Sequence, residues 1–249
     1  MSLTSRCQSA VLPASLVVIL LLASTTVAQE PLTYEAVYAA RSSGLSATAE
    51  RRLTRLENGH YLLNQSMEVR VLGARLGTVE ETSQLHYVGD TLVPDAYTYN
   101  QSGISSRKES VEFNWQEGTA VSRDDDEEWQ LDLTSGVVDN LSFQLLLRQK
   151  LGMPGNDTVE IRMVDKDEVE THLYRVTGSE IVETRLGRLD TIKVERIRAA
   201  GSNRHTTFWL ARDWHLLLVK FLQESGSGSD TELLLVEAVV DGQEVTPLP

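Results

Sequence analysis

The chain has 249 residues and a formal net charge of −13, because 36 aspartate and glutamate residues outnumber 23 lysine and arginine residues. Nucleic acid and anionic lipid surfaces repel such an acidic chain, so we expect neither as a partner. The single cysteine, Cys7, excludes an intramolecular disulfide and a cysteine-based metal site.

The N-terminus has the features of a secretory signal peptide, which we place at residues 1–28. Arg6 precedes an apolar run, Val11 to Leu22, and small residues ending at Ala28 predict a cleavage site. The run is short for a membrane span, which needs about 20 apolar residues. An uncleaved membrane anchor is the alternative interpretation.

Cleavage would leave residues 29–249 as the mature chain, without a cysteine. A bacterial lipoprotein would need its lipidated cysteine at the cleavage point, whereas Cys7 lies before the apolar run. Export without disulfides suits a bacterial periplasm. We therefore expect a single β-rich periplasmic domain over residues 29–249, with no transmembrane segment after cleavage.

The mature chain alternates apolar and polar residues in short runs separated by turn signals, a pattern typical of antiparallel strands. The first run begins at Tyr34, and Asn58-Gly59 is the clearest hairpin turn. Pro94 predicts a strand start or a sheet edge, since proline has no N–H donor. Gly178 predicts the end of a later strand. About a dozen strands in consecutive hairpins are expected.

An acidic run, Asp124 to Glu128, interrupts this alternation. Clustered carboxylates attract hard divalent cations, but the run lacks the alternating ligands and the glycine of a calcium loop. We interpret the run as a solvated hairpin tip and keep a cation site as the alternative.

One helix is predicted, over about residues 139–151. Asp139 is a suitable N-cap because its carboxylate can accept the free N–H groups of the first turn. Gly152 is placed to adopt the left-handed conformation after the helix, and Pro154 prevents its continuation. Apolar residues occupy most of the circumference, so we expect the helix to be largely buried.

One buried helix among many strands is typical of a curved sheet that the helix plugs or covers. The predicted fold is mainly β: an antiparallel meander that forms an open or closed β-barrel-like sheet with one covering α-helix. An outer-membrane barrel is disfavoured, because aromatic residues make up only 6% of the chain and many strand positions are charged.

Five blocks of the sequence form a recognisable pattern: Pro94 to Tyr99, Val111 to Trp115, Asp139-Asn-Leu-Ser-Phe to Arg148, Gly187-Arg-Leu-Asp to Arg196 and Phe208-Trp-Leu-Ala-Arg to Lys220. In these blocks the chain resembles the bacterial domain-of-unknown-function 3108 family. The resemblance implies an exported β-rich protein of a Gram-negative-type bacterium, and it carries over no catalytic residue. The curved sheet and covering helix are also similar, at the level of fold alone, to periplasmic lipoprotein carriers.

The sequence contains none of the common catalytic or cofactor motifs. The nucleophile elbow, the zinc-binding His-Glu-x-x-His, the phosphate loop and the dinucleotide fingerprint are all missing. We therefore expect no catalytic residue, no cofactor and no metal, although a Ser-His-Asp triad assembled by folding stays open. The five histidines show no ligand spacing; they are His60, His86, His172, His205 and His215.

Aromatic and apolar side chains are the candidates for ligand binding, although core packing is the favoured explanation for any single one of them. Aromatic rings at the mouth of a barrel can stack on sugar rings or line a pocket for an acyl chain. Trp209 stands out because it alternates out of phase with its apolar neighbours. The predicted ligand-binding residues are Tyr97, Tyr99, Trp115, Phe143, Leu147 and Trp209.

Basic residues on the strands form a second candidate set, as a patch for an anionic ligand. Solvation of the strand faces is the alternative explanation for them. They are Arg107, Lys108, Arg196, Arg198 and Arg204.

The leading hypothesis is a non-enzymatic binding or carrier protein for an apolar or amphiphilic envelope component, with a lipid, lipoprotein or polysaccharide as the ligand. The alternatives are an envelope assembly or interaction protein that acts through protein partners, and a hydrolase of envelope polymers. The helix decides whether a pocket exists: Phe143, Leu146 and Leu147 either fill the concavity of the sheet or form one wall of a pocket.

Overall fold

The computed structural model describes residues 32–249, apart from residues 43, 72–73, 104, 227 and 229. The predicted signal peptide, residues 1–28, lies outside the described residues. Among the helices that are described, none is both long enough and apolar enough to span a membrane.

The described part of the chain contains sixteen strands and one α-helix, α1 (Phe143–Leu151), with a 3-10 turn at Arg212–Trp214. The strands are β1 (Tyr34–Ser42), β2 (Leu45–Arg55), β3 (Tyr61–Val71), β4 (Ala74–Val88), β5 (Thr91–Gly103), β6 (Arg107–Asn114), β7 (Thr119–Asp124), β8 (Glu127–Asp132), β9 (Val137–Val138), β10 (Thr158–Asp165), β11 (Glu168–Thr184), β12 (Gly187–Ile197), β13 (Arg204–Ala211), β14 (Leu217–Ser225), β15 (Thr231–Val240) and β16 (Gln243–Glu244).

All the strands belong to one large sheet made of two meanders. Strands β1 to β8 form the first meander, strands β10 to β15 form the second, and the antiparallel pair β1–β15 joins them. The short β9 pairs with β10 in parallel, and β16 extends beside β15. The sheet is not closed, because β8 and β9 end it on its two sides. The predicted mainly β, barrel-like fold is confirmed in its open form.

Strict alternation explains which face of the sheet is buried. In β1, Tyr34, Ala36 and Tyr38 are buried while their neighbours are more exposed. Side chains at alternate positions point to the same face, so these three belong to the inner face. Fully burying an apolar side chain contributes about 1.5–3 kcal/mol, which sets the register of each strand. The Tyr38 hydroxyl donates to the Leu218 carbonyl, 3.1 Å away, so its polar end is also satisfied.

Most of the predicted turns are confirmed, because they depend on local chemistry. Asn58-Gly59 connects β2 to β3, with Gly59 at a φ of 83°. The acidic run forms the predicted hairpin tip, where Asp125 accepts the Lys108 backbone N–H at 2.8 Å. Pro94 lies near the start of β5 in a stretch that pairs with β4 alone, since β6 joins only from Ala96. It is therefore a local sheet edge.

Two predictions about the strands are wrong, one on where a strand ends and one on how many strands there are. Gly178 does not end a strand: β11 runs through it, and a β-bulge between Val176 and Gly178 shifts the register with β12. A glycine without a side chain to pack is a common site for such a bulge. The count of about a dozen strands was also too low, because β9 and β16 are two-residue strands without a periodic signal.

Asp139 organises the entry to the helix, although the helix itself begins four residues later than predicted. Its Oδ1 accepts the backbone N–H groups of Leu141 and Ser142, at 2.8 and 2.7 Å. Its Oδ2 accepts the hydroxyls of Ser142 and Ser83, both at 2.7 Å. The Asp139 N–H in turn donates to Ser142 Oγ, which gives the reciprocal bonding of a capping box.

The C-terminal end of the helix differs from the prediction. Gly152 has a φ of −71° and is not left-handed, because the chain continues for one more turn. Its N–H donates to the Arg148 carbonyl, and the Met153 N–H donates to the Lys150 carbonyl. The left-handed glycine is Gly155, which follows Pro154 with a φ of 82°.

An ion pair joins the two meanders near the open seam. Lys166 Nζ, in the turn between β10 and β11, lies 2.8 Å from Asp124 Oδ2 on β7. Arg107 also binds Asp124 through two hydrogen bonds of 3.0 and 2.9 Å. The Arg107 and Lys166 hydrogen bonds lower the pKa of Asp124 to about 2. The carboxylate therefore stays charged and paired over the whole physiological pH range.

We predict that Asp139→Ala destabilises the protein by about 3 kcal/mol, because it removes a helix-entry cap and leaves buried donors unpaired. Urea denaturation followed by circular dichroism measures the change in unfolding free energy. Asp139→Asn should lose less, since an amide oxygen still accepts the Leu141 and Ser142 N–H groups. Asp126→Ala, which changes an exposed residue, is the control. An equal loss of unfolding free energy in Asp126→Ala and Asp139→Ala would contradict the capping role of Asp139.

Candidate functional site

The inner face of the sheet borders a half-open cavity of about 370 Å³ beside the N-terminal turn of the helix. Both meanders and the helix contribute to its wall. A volume of this size falls within the range of about 300–1,000 Å³ that is typical of small-molecule sites. The residues that line it are Ala49, Arg51, Gln65, Met67, Asn140, Phe143, Gln144, Met163, Asp165, His172, Tyr174, Arg196, Arg198, Thr206, Phe208, Leu218, Phe221, Gln223, Thr231 and Leu233.

Four aromatic rings form one wall of this cavity. Phe143 of the helix stacks on Tyr174 of β11, with centroids 6.1 Å apart. Phe208 of β13 meets Tyr174 edge-on at 5.9 Å and Phe221 of β14 at 5.3 Å. Aromatic pairs at such distances stabilise one another beyond simple burial, so the wall is a preorganised apolar surface.

A second cavity, of about 390 Å³, continues the first one towards the turn between β1 and β2. Met67 and Thr231 line both cavities. The second cavity is lined mainly by small and aliphatic side chains, among them Ala40, Ala47 and Val69. The two together form an elongated, largely apolar groove along the inner face.

The helix both fills the concavity and bounds the cavity. Leu147 is only 2% exposed and packs in the core with Leu145 and Leu146, away from the cavity wall. Phe143 and Gln144, one turn earlier, line the cavity. The C-terminal part of the helix is therefore structural, whereas its first turn forms one wall of a pocket.

Arg51 brings a buried positive charge to the cavity. It is 6% exposed, and its guanidinium donates to the side-chain oxygens of Gln65 and Gln144. It lies over the ring of Tyr38, 5.8 Å from the centroid. Among the described residues, no carboxylate lies within ion-pair distance of Arg51. Its direct partners are two side-chain amides and an aromatic ring, and Gln65 links it to the Glu81 carboxylate.

Arg196 of β12 and Arg198, directly after that strand, add two further cations to the cavity wall. Arg198 donates to Thr206 Oγ1 at 3.0 Å, and burial, followed by the neighbouring Arg196 and Arg204, lowers its pKa. Arg196 has one carboxylate partner, Glu170, at 3.5 Å. The predicted basic patch is thus divided: Arg196 and Arg198 line the cavity, whereas Arg107 and Lys108 lie on β6.

His172 is held by a carboxylate at the cavity wall. Its Nε2 lies 2.7 Å from Glu170 Oε2, while its Nδ1 is buried and has no hydrogen-bond partner in the described part of the chain. Burial lowers the pKa of His172 in spite of Glu170, which favours the neutral ring. The described residues place no hydroxyl within hydrogen-bonding distance of Nδ1, so no nucleophile is paired with this histidine.

A chain of polar contacts leads from Arg51 to Tyr97 behind the cavity wall. Gln65 Nε2 donates to Glu81 Oε1 at 2.7 Å, and the Tyr97 hydroxyl donates to Glu81 Oε2 at 3.1 Å. Burial raises the pKa of Glu81, and it also raises the pKa of Tyr97. Tyr97 therefore supports the site from behind and does not line the cavity.

The other predicted binding residues lie elsewhere. The Tyr99 hydroxyl donates to Gln101, which lines the second cavity. Trp115 stacks on Phe113, and its indole N–H donates to the Pro94 carbonyl at 2.7 Å. The structure thus groups only Phe143 of the six with the main cavity.

Trp209 lies on the outer face, because it alternates with the cavity-lining Phe208. Its indole N–H donates to Glu180, and Lys193 and Lys220 lie over its ring at 5.8 and 5.0 Å. These contacts cover the ring, which is 6% exposed, without a ligand. Trp209 therefore does not line the main cavity, and a ligand-binding role for it stays a prediction.

The family model described as "Protein of unknown function (DUF3108)" matches residues 33–235. The chain belongs to this family. Membership assigns no reaction. No curated protein matches the chain.

Among solved structures, the chain is similar to a β-barrel-like protein of the domain of unknown function DUF1849 from Brucella abortus. The two share 12% identity and a TM-score of 0.55, over 84% of this chain and 98% of that one. At this identity the similarity shows the fold alone. A proposed lipoprotein from Parabacteroides distasonis aligns at 9% identity with a TM-score of 0.33, over 85% and 100% of the two chains, which is too weak to support an argument.

We predict that the buried Glu81 makes the protein less stable as pH rises. Its pKa is raised above 4.5 in the folded state, so its stabilising contribution is complete below about pH 4.5 and is lost as pH rises through the raised pKa. Glu81→Gln should flatten this dependence, because the amide is neutral at every pH. Urea midpoints between about pH 5 and pH 8 measure it. An identical change of the urea midpoint with pH in the wild-type protein and in Glu81→Gln would contradict this role of Glu81.

Proposed function

We propose that the protein is a non-enzymatic binding or carrier protein for an amphiphilic component of the bacterial envelope, with an anionic head group. The apolar part of the ligand lies in the elongated groove on the inner face, and the head group lies beside Arg51, Arg196 and Arg198. The observation that carries this proposal is the collection of three arginines on the wall of a cavity with an aromatic side, where Asp165 is the one acidic residue among the described lining residues.

The charge of the cavity runs against the charge of the whole chain. The protein has a net charge of −13, yet the three arginines at the cavity have only Glu170 as an ion-pair partner among the described residues. Keeping a buried guanidinium without a carboxylate costs free energy unless a ligand supplies the anion. Guanidinium groups bind carboxylates and phosphates through paired, charge-assisted hydrogen bonds, which is the chemistry of an anionic head group.

The apolar groove supports the other half of the proposal. Phe143, Tyr174, Phe208 and Phe221 offer rigid rings at one end, and the second cavity continues as an aliphatic channel. An acyl chain gains about 0.8 kcal/mol for each methylene group that it buries. A ligand with an acyl chain and an anionic head group would thus fit both the apolar groove and the arginines. A free sugar or a simple anion would fit only one of the two.

We place this activity in the periplasm, because the predicted signal peptide over residues 1–28 would export the chain and the mature chain needs no disulfide. A carrier in that compartment would shield the apolar part of its cargo from water between two membranes. The inner groove, open at the side of the sheet, suits such a role.

Displacement of a fluorescent fatty acid tests the proposal with three competitors of equal chain length: a carboxylate, an alcohol and a trimethylammonium. We expect the carboxylate to displace the probe best. Arg198→Gln should weaken binding of the carboxylate by about tenfold while leaving the alcohol unchanged, because one charge-assisted hydrogen bond is lost. Phe143→Trp should weaken all three competitors by occupying the cavity.

Two matched variants serve as controls for these effects. Arg188→Gln removes an exposed arginine of β12, the strand that ends just before Arg198, and Trp209→Phe changes an aromatic residue next to Phe208 on the opposite face. Neither should alter binding. Absence of binding in the wild-type protein, or equal losses in Arg188→Gln and Arg198→Gln, would contradict the proposal. Release of fatty acid from an ester competitor, abolished by His172→Ala, would instead favour a hydrolase.

A further inference from the structure

His60, His86 and Asp95 converge at one point on the sheet, away from the amphiphile cavity. His60 Nδ1 lies 3.0 Å from Asp95 Oδ2, and His86 Nδ1 lies 3.0 Å from Asp95 Oδ1. The two imidazole rings lie side by side, with centroids 4.9 Å apart and planes tilted by 32°. The three potential ligand atoms are all within 4.8 Å of one another.

The strand register brings the two histidines together. His86 lies on β4, and His60 directly precedes β3. Tyr61 pairs with Leu85 in this antiparallel pair, so the next position along places His60 opposite His86. Leu85 is fully buried, and alternation therefore turns His86 to the outer face. Both histidines present the same nitrogen, Nδ1, to the same carboxylate.

A β-bulge supplies the third side chain. In β5, Pro94 pairs with Leu85 of β4 and Ala96 pairs with Gln84, so Asp95 is the extra residue between them. An extra residue in one strand re-aims its side chain, and bulges of this kind are common next to functional sites. Asp95 alternates with the buried Pro94 and so lies on the outer face, and the bulge leaves it without a Cα partner on β4.

We infer that His60, His86 and Asp95 form a binding site for a divalent transition-metal ion, of which Zn²⁺ is the best match. Two imidazole nitrogens and one carboxylate oxygen are a ligand set that Zn²⁺ favours, whereas Ca²⁺ and Mg²⁺ prefer oxygen ligands alone. Two ligands of a tetrahedral Zn²⁺, each about 2.0 Å from the metal, lie about 3.3 Å apart. The two Nδ1–carboxylate distances of 3.0 Å are close to that value.

Binding requires only a local rearrangement. Each imidazole presents an unprotonated Nδ1 to the metal and carries its proton on Nε2. The bond from Nδ1 to the metal then replaces the hydrogen bond from Nδ1 to Asp95. The side chains are 41%, 28% and 30% exposed for His60, His86 and Asp95, so they can rotate and the metal can enter. With three protein ligands, one coordination position stays open to water. The ion would clamp the ends of three neighbouring strands and the bulge.

Calorimetric titration of Zn²⁺ into the chelator-treated full chain tests this inference. We expect one Zn²⁺ per chain, and at least about tenfold weaker binding in each of His60→Ala, His86→Ala and Asp95→Asn. His205→Ala removes an exposed histidine of β13 and should leave the affinity unchanged. Circular dichroism of each variant shows that it is folded. No stoichiometric binding by the wild-type protein, or an equal loss in His205→Ala, would overturn the inference.

Nitrogen-15 NMR of the histidine rings gives a second readout that does not depend on affinity. Zn²⁺ should shift the Nδ1 resonances of His60 and His86 and leave those of His205 and His215 in place. Coordination through Nε2, or shifts spread over all the histidines, would overturn the proposed geometry. The amphiphile assay separates this site from the proposed function, because Asp95→Asn should leave fatty acid binding intact.

Discussion

Burying the Asp139 carboxylate would cost several kcal/mol without partners, and four hydrogen bonds offset that cost. Two of them come from the backbone of the turn before the helix, one comes from Ser142, and one comes from Ser83 on β4. The bond to Ser83 ties the segment between the two meanders to the centre of the first meander. Although these donors stabilise the ionised form, burial raises the pKa of Asp139, which shows how completely water is removed from this point. The position of the helix inside the sheet depends on this one group.

The position of the cavity depends on where Asp139 holds the start of the helix. Leu145, Leu146 and Leu147 reach the core, so the helix is anchored by apolar packing along its middle. The first turn stands off the sheet and leaves the space that Phe143 and Gln144 border. Gln144 also receives a hydrogen bond from Arg51, which fixes a guanidinium at the boundary between the helix and the first meander. An apolar groove and a cationic end thus arise from the same docking of one short helix.

Local signals in the sequence predicted much of the fold and little of the site. Asn58-Gly59, the acidic hairpin tip and Asp139 were predictable because each acts through its own neighbours in the chain. Gly178 was misinterpreted, since a bulge depends on the partner strand β12, and Gly152 was misinterpreted, since the local turn continues to Gly155. The grouping of Arg51 with Arg196 and Arg198 depends on the curvature of the whole sheet. The meeting of His60, His86 and Asp95 depends on register and a bulge, neither of which has a sequence motif.

The central claim is that the inner groove holds an amphiphile with an anionic head group. Mass spectrometry under non-denaturing conditions tests it most directly, on protein isolated from the envelope of a bacterium that expresses the full chain. We expect an added mass on the protein. Organic solvent should release it, and the released molecule should contain an acyl chain and a carboxylate or phosphate. Protein that carries no added mass after gentle isolation, and that takes up no such molecule when envelope lipids are supplied, would contradict it.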